Sequence, residues 1–256
     1  MKYKEAMAYV ESIQHYGSVL GLDNMKHLCE RLGNPQDKLK FVHIAGTNGK
    51  GSVLAYISTV LQAAGYCVGR YISPVIFEYR ERFQINGKMI SKIAFGKYME
   101  QVKEAAEQLV QEGLPHPTPF EMETAVSFLC FLDRKCDIVV LETGLGGSLD
   151  ATNIIKTALC CVIASISMDH MAVLGDSLEQ IACQKAGIIK EEVPVVTCRQ
   201  APEAMEVLKD KTSQMHSALL LADVADARRV KYGIKKQSFS YKGYRDLEIT
   251  MAGRCQ

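Results

Sequence analysis

Apolar and polar positions along this chain switch between a helical period and short unbroken apolar runs. Residues 3–15 and 23–32 repeat apolar side chains at helical spacing, which predicts two amphipathic helices, the second stopped at Gly33-Asn34-Pro35. Lys40-Phe41-Val42-His43-Ile44-Ala45 then reads as a strand and Gly46 to Gly51 as a glycine-rich turn. Residues 52–64 carry Val53, Ile57, Val60, Leu61 and Ala64 on one helical face, and Gly65 is a terminator. Cys67 to Ile72 is a further strand, so the region is a strand–loop–helix–strand unit of the kind that opens a parallel sheet.

The same reading continues through a long loop at 73–90, a helix at 91–112 and a loop marked by Pro115, Pro117 and Pro119. A helix at 120–134 leads into strand 137–142, apolar on both faces, and then a second glycine-rich loop at 143–153. Strand 159–166, helix 178–189, strand 193–198, helix 202–216 and strand 218–222 complete the alternation. Such alternation predicts a doubly wound α/β fold with a mostly parallel sheet. The tail, about 227–250, alternates like β-hairpins with a turn at Lys242-Gly243, which predicts a small antiparallel β portion. No internal repeat or linker divides residues 1–256, so one domain is expected.

Composition narrows the functional classes. The chain has 256 residues, 48% apolar and 23% charged, ordinary values for a globular domain. The net charge of +1 argues against general nucleic-acid binding and leaves anions to local features. The nine cysteines, Cys29, Cys67, Cys130, Cys136, Cys160, Cys161, Cys183, Cys198 and Cys255, form no C-x-x-C pair. Several lie in apolar runs, so they read as core thiols in a reducing compartment and not as a zinc set. No apolar signal region follows Met1, and no window has the ~20 apolar residues of a membrane span. A cytoplasmic protein, monomeric and without a membrane partner, is expected.

Gly46-Thr47-Asn48-Gly49-Lys50-Gly51-Ser52 is the strongest chemical signal. It lies between a strand and a helix, where backbone N–H groups and the helix dipole gather on phosphate oxygens. Lys50 suits the β- and γ-phosphates and the Ser52 hydroxyl suits a magnesium ion. The run departs from the strict eight-residue pattern because Gly51 separates Lys50 from Ser52. Glu142 closes an apolar strand, whose carboxyl end in a parallel sheet borders the ligand crevice. Asp169-His170 follows the next strand and reaches the same edge.

His43-Ile44-Ala45-Gly46-Thr47-Asn48-Gly49-Lys50-Gly51-Ser52 resembles the signature of the folylpolyglutamate and dihydrofolate synthases, within the wider Mur ligase group. The similarity runs from about residue 3 to the last residue. It implies an ATP-dependent ligase that joins L-glutamate to a dihydropteroate or reduced folate carboxylate through an acyl phosphate. It implies ATP with Mg²⁺, two ions, held by Ser52, Ser73, Glu142 and His170. On chemistry alone His170 reads as structural, since Mg²⁺ prefers oxygen; the match at Met168 to Gly175 assigns it near the second ion. Lys185, in Gln184-Lys185-Ala186-Gly187, resembles a lysine that the family carbamylates; a salt-bridged helix lysine is the plainer alternative.

On the folate side the resemblance implies that Phe120 packs on the pterin–aminobenzoate, although an ordinary core role is equally open. Thr143-Gly144-Leu145-Gly146-Gly147-Ser148-Leu149-Asp150-Ala151-Thr152-Asn153 is similar to the family's second glycine-rich motif. It makes Asp150 and Ala151 substrate contacts, or else a plain Asn/Asp turn. The sequence departs from many members at Val75 and Ser148, where histidine and arginine are common. Arg82 is expected to brace the 73–90 loop. Met251 to Gln256 is similar to a run that continues into adenine contacts and a glutamate-binding domain, and neither lies in these residues. The isolated chain is therefore expected to bind ligands without ligating them. A cell-wall Mur-type ligase and a nucleotide-binding module without chemistry are the competing readings.

Overall fold

A computed structural model describes residues 1–17, 19 and 21–250, so the Met251 to Gln256 run lies outside the described residues. The main sheet has eight strands: β1 Phe41–Ala45, β2 Val68–Tyr71, β3 Phe83–Ile85, β4 Lys88–Met89, β5 Ile138–Glu142, β6 Ala158–Ile163, β7 Val195–Cys198 and β8 Leu219–Ala222. Their order is β4-β3-β2-β5-β1-β6-β7-β8. From β2 to β8 every pairing is parallel, and β3 and β4 add an antiparallel edge. The strands β9 Ala227–Lys231, β10 Gln237–Tyr241 and β11 Tyr244–Ile249 form a separate antiparallel sheet that turns at Lys242-Gly243. The doubly wound, mostly parallel architecture with a small antiparallel portion is therefore the observed one.

Alternation along β1 divides the core. Phe41 and Ala45 face the larger cluster, while Val42 and Ile44 face a smaller one. The smaller cluster is closed by helix α3, Lys50–Ala63, through Leu54, with Val53, Ile57 and Leu61 packed against it. The larger cluster packs α1 Tyr3–Ser12, α2 Asp23–Arg31, α4 Lys92–Gln111 and α5 Pro119–Asp133 on the opposite face. Helix α6, Met171–Leu174, is one short turn, and α7 Leu178–Ala186 and α8 Pro202–Gln214 also join the larger cluster. Helix α5 is buried along most of its length, and Phe128 meets Phe41 edge-on at 5.7 Å. Its start is pinned by a capping box in which Thr118 Oγ1 accepts from Glu121 N and Glu121 Oε2 accepts from Thr118 N. Such a cap is worth about 0.5–2 kcal/mol.

Several expected boundaries move. The expected loop at 73–90 contains a 3₁₀ turn, Tyr79–Arg82, followed by β3 and β4. Asn86-Gly87, both with positive φ (48° and 72°), supplies the two-residue hairpin turn that joins them. Helix α3 begins at Lys50, not at 52, because Gly49 in the left-handed region (φ 84°) caps it directly. The first helix ends at Ser12, and a 3₁₀ turn, Gln14–Tyr16, continues the chain. Helix α7 ends at Ala186; Ile188 and Ile189 are buried in a turn, and that burial imitates a longer helical period. Among the described residues no helix is long and apolar enough to cross a membrane. The eight described cysteines are all free thiols.

Candidate nucleotide and substrate site

The parallel strands deliver their carboxyl ends to one edge, and the chain after β1, β2, β5 and β6 builds the site there. After β1 the loop Gly46–Gly49 is stitched to the segment leaving β6. Thr47 N donates to Ser165 O at 2.7 Å, Thr47 Oγ1 donates to Ser167 O at 3.0 Å, and Ser167 N donates back to Thr47 Oγ1 at 3.1 Å. Asn48 and Ser165 form an isolated bridge. Gly46 is obligatory here, since a Cβ on it would lie 2.7 Å from the Ala164 Cβ. Lys50 Nζ folds over the loop and donates to Gly46 O (3.2 Å) and Thr47 O (3.4 Å). Ser52 sits in the first turn of α3, beside the helix N-terminus.

Glu142 meets this loop from β5. Its Oε1 lies 4.0 Å from Lys50 Nζ, and its Oε2 accepts from Ser73 N at 3.4 Å. The residue is 5% exposed. Burial pushes its carboxyl up to about 7, against the opposing pull of Lys50 and Arg70. Ser73 Oγ is buried and without a hydrogen-bond partner. An unpartnered hydroxyl beside a carboxylate is a pair of oxygen donors, the type that a hard divalent cation takes. Among the described residues no three His, Cys, Asp or Glu side chains gather, so an ion at Glu142 would draw its remaining ligands from serine and phosphate oxygens.

Lys185 arrives from α7, 3% exposed, and its Nζ donates to Gly46 O at 3.0 Å. Two ammonium groups thus share one carbonyl. Burial, and then repulsion from Lys50, bring Lys185 down to about 8, while Asp169 acts in the opposite sense. Lys185 is a helix lysine, as the plainer expectation has it, but among the described residues it makes no salt bridge. His170 stands apart. Its side chain is 58% exposed, its Nε2 lies 3.6 Å from Asp169 Oδ2, and its backbone is in the left-handed region (φ 47°) at the start of α6. Among the described residues no contact joins it to Glu142 or Ser73, although it follows β6 at the same edge.

Beside Ser73 opens a cavity of about 290 Å³, lined among others by Phe120, Arg82, Gly144, Leu149, Asp150 and Ala151. The Phe120 ring borders this cavity and also packs at 6.2 Å from Tyr71. Gly144 lets that ring close on the loop, since a Cβ there would lie 2.5 Å from Phe120 Cζ. Asp150 is buried and engaged within its own loop: Oδ1 accepts from Thr152 N and Thr152 Oγ1, and Oδ2 accepts from Leu145 N. A carboxylate retains further lone pairs for a ligand. Arg82 ties its segment outward to α5, with Nη1 3.2 Å from Glu123 Oε2, and braces it internally only through its guanidinium, 5.5 Å over the Tyr79 ring. Ser148 occupies its departure from the family pattern by donating to Gln184 O at 3.0 Å.

Sequence reasoning missed Glu123, Arg70 and His43, all polar groups within apolar runs. Their signal was the presence of an ionisable residue where the pattern demanded an apolar one.

No family model matches the chain. It is 44% identical over 217 residues to the dihydrofolate synthase/folylpolyglutamate synthase of Bacillus subtilis, over 84% of this chain and 50% of that protein. It is 36% identical over 265 residues to the folylpolyglutamate synthase of Lacticaseibacillus casei, over 100% of this chain and 61% of that protein. A solved FPGS–AMPPCP–folate complex superposes with a TM-score of 0.91 at 34% identity, over all of this chain and 63% of that one. The chain thus spans 50–63% of the length of these relatives. With this identity and this superposition, it belongs to the folylpolyglutamate synthase and dihydrofolate synthase family.

Proposed function

We propose that this chain binds Mg²⁺-ATP across the 46–52 loop and a dihydropteroate or reduced folate in the adjoining cavity, as the ATPase domain of a glutamate ligase. The reaction of the whole protein follows from carboxylate chemistry. A carboxylate repels nucleophiles and its oxygen leaves poorly. Its oxygen therefore attacks the γ-phosphorus of ATP, the bond to the β–γ bridging oxygen breaks, and ADP leaves an acyl phosphate. The glutamate amine attacks the acyl carbon, phosphate departs with the electrons of its C–O bond, and the amine proton is released. No protein nucleophile is required; positioning and charge neutralisation carry the chemistry.

The observation that carries this reading is the adjacency of two unlike halves. Glu142 lies 4.0 Å from the loop's Lys50 and also accepts from the backbone of Ser73, which borders the Phe120 cavity. A group that handles phosphate is therefore next to an apolar slot suited to an aromatic ring. Backbone N–H groups of Gly46, Thr47, Asn48, Gly49 and Gly51 would cradle phosphates, with Lys50 as their counter-charge. Ser52, Ser73 and Glu142 would hold magnesium, and His170 is assigned to a second ion. Magnesium, when bound, neutralises phosphate charge and orients it. Phe120, Asp150 and Ala151 are assigned to the pteroate. The depressed Lys185 amine is partly neutral near pH 8, the form that adds CO₂, which supports its carbamylation. A cytoplasmic location accords with these substrates. The AMPPCP and folate of the solved relative support both ligand assignments.

The test is calorimetry of Mg²⁺-AMPPCP and of dihydropteroate on this chain, with labelled-glutamate incorporation measured in the whole protein. Binding of both ligands, with nucleotide affinity lost in Lys50→Ala, is expected. Failure to bind nucleotide, or equal affinity in the variant, overturns the assignment.

A further inference from the structure

His43 is absorbed by neither half of the site. It lies on β1, three residues before the phosphate loop, fully buried on the face it shares with Phe41 and Ala45. Its Nε2 is 2.9 Å from Thr152 Oγ1, and its Nδ1 is buried without a partner. Asp150 accepts from Leu145 N and from Thr152 N, so its carboxylate is an acceptor toward its loop. The single Thr152 hydroxyl proton therefore goes to Asp150 Oδ1. Thr152 Oγ1 is left to accept, and His43 must be the donor through Nε2–H. The bare Nδ1 is then an unpaired acceptor, a cheaper defect than an unpaired buried N–H. The order is His43 Nε2–H to Thr152 Oγ1–H to Asp150 Oδ1. Burial drives the imidazole down to about 3, so it remains neutral throughout the working range.

We propose that His43 is a positioning residue which, through Thr152, fixes the Asp150 carboxylate at the wall of the Phe120 cavity for a ligand that presents ring N–H donors. Asp150's other ties are local: its carboxylate accepts from its own loop's N–H groups, its carbonyl accepts from Asn153 N at 2.8 Å, and its N–H donates to Gly147 O at 3.2 Å. The link to His43 is the long-range one, spanning 109 residues. It ties the acceptor that lines the cavity to the strand that carries the phosphate loop. The two ligands are thereby referred to one rigid element, which is what in-line transfer between them requires. The inference rests on the substrate reading of that cavity.

The experiment measures dihydropteroate and Mg²⁺-AMPPCP affinities on this chain for the wild type, His43→Leu, His43→Gln, Thr152→Val and Asp150→Asn. Loss of the donor in His43→Leu or of the hydroxyl in Thr152→Val is expected to weaken dihydropteroate about tenfold, the loss typical of one buried hydrogen bond. AMPPCP affinity should stay within about twofold of the wild type. His43→Gln, whose Nε2 carries a proton at a similar reach, should restore most of the loss. A purely structural role would instead lower both affinities together, and that outcome overturns the proposal. If His43→Leu does not fold, His43→Gln and the spectroscopic check on the unmodified chain keep the relay testable. Nitrogen-15 spectroscopy of His43 adds a check on the unmodified chain: the Nε2–H tautomer is expected, and Nδ1–H overturns the relay. No dihydropteroate binding by the wild type overturns the substrate reading and this one together. Binding weakened by Asp150→Asn but unmoved by His43→Leu and Thr152→Val overturns the relay alone.

Discussion

Glu142→Gln should stabilise the fold above neutral pH. Glu142 is buried, and its carboxyl stands at about 7 against an ordinary value of 4.5. The folded state thus binds this proton more tightly than the unfolded state does. Stability from the group is fully present below its ordinary value and is lost as pH rises through about 7. A carboxyl held at about 7 against 4.5 makes ionisation of the folded state cost ~3 kcal/mol relative to the unfolded chain. Glutamine keeps the shape and the acceptor for Ser73 N and never ionises. The attraction of Lys50, 4.0 Å away, is already contained in the value of about 7. The variant's advantage should grow by roughly 2–3 kcal/mol between pH 5 and pH 8, a large part of an ordinary domain's 5–15 kcal/mol. Urea unfolding of both proteins at the two pH values measures it, and titrations elsewhere cancel in the comparison. A stability difference that does not change with pH would show that Glu142 is not held in a desolvated site.

Further outcomes are open to measurement. Lys185→Met should be more stable than the wild type at pH 7 by up to ~3 kcal/mol. Because the folded lysine is depressed to about 8, that advantage should vanish as pH rises past its ordinary 10.5, which thermal melts in a pH series will record. Mass spectrometry at alkaline pH with bicarbonate should find one added CO₂ on the wild type and none on this variant. Gly46→Ala should cost ~1–3 kcal/mol by forcing the loop off Ala164, read as a lower urea midpoint. Phe120→Ala should weaken dihydropteroate about tenfold without changing AMPPCP affinity, by calorimetry. Lys50→Ala should weaken AMPPCP at least about tenfold with an unchanged circular dichroism spectrum.

Much of this arrangement was legible because the sheet's central strands are buried on both faces. Runs such as Phe41 to Ala45 and Ile138 to Glu142 are too short and too uniformly apolar for a surface helix, and a glycine-rich turn after the first of them marks the loop. Burial that is not periodic misled the reading at Ile188 and Ile189, which sit in a turn yet are as apolar as a helix face. The β3–β4 hairpin was hidden because its strands have only three and two residues, too few for any alternation to register. Lys50 and Glu142, each announced by its place at the end of a strand or the start of a helix, come within 4.0 Å of one another. Contacts made with a partner far along the chain left no such local signal. Nothing near His43 in sequence points to Thr152, and nothing near Lys185 points to the Gly46 carbonyl.

The stitching of the 46–49 loop to the chain leaving β6 has an entropic consequence. Ordering a free backbone residue costs ~1–2 kcal/mol, and a mobile phosphate loop would levy that on every incoming nucleotide. Here Thr47, Asn48, Ser165 and Ser167 freeze one another when the domain folds, and the Lys185 ammonium holds the Gly46 carbonyl from a third element. The ordering cost falls on folding, before any anion arrives. Loosening these ties, for instance with Thr47→Ala, would leave each phosphate contact chemically available. Weakened nucleotide binding in such a variant should therefore register in calorimetry as an unfavourable entropy more than as a lost enthalpy.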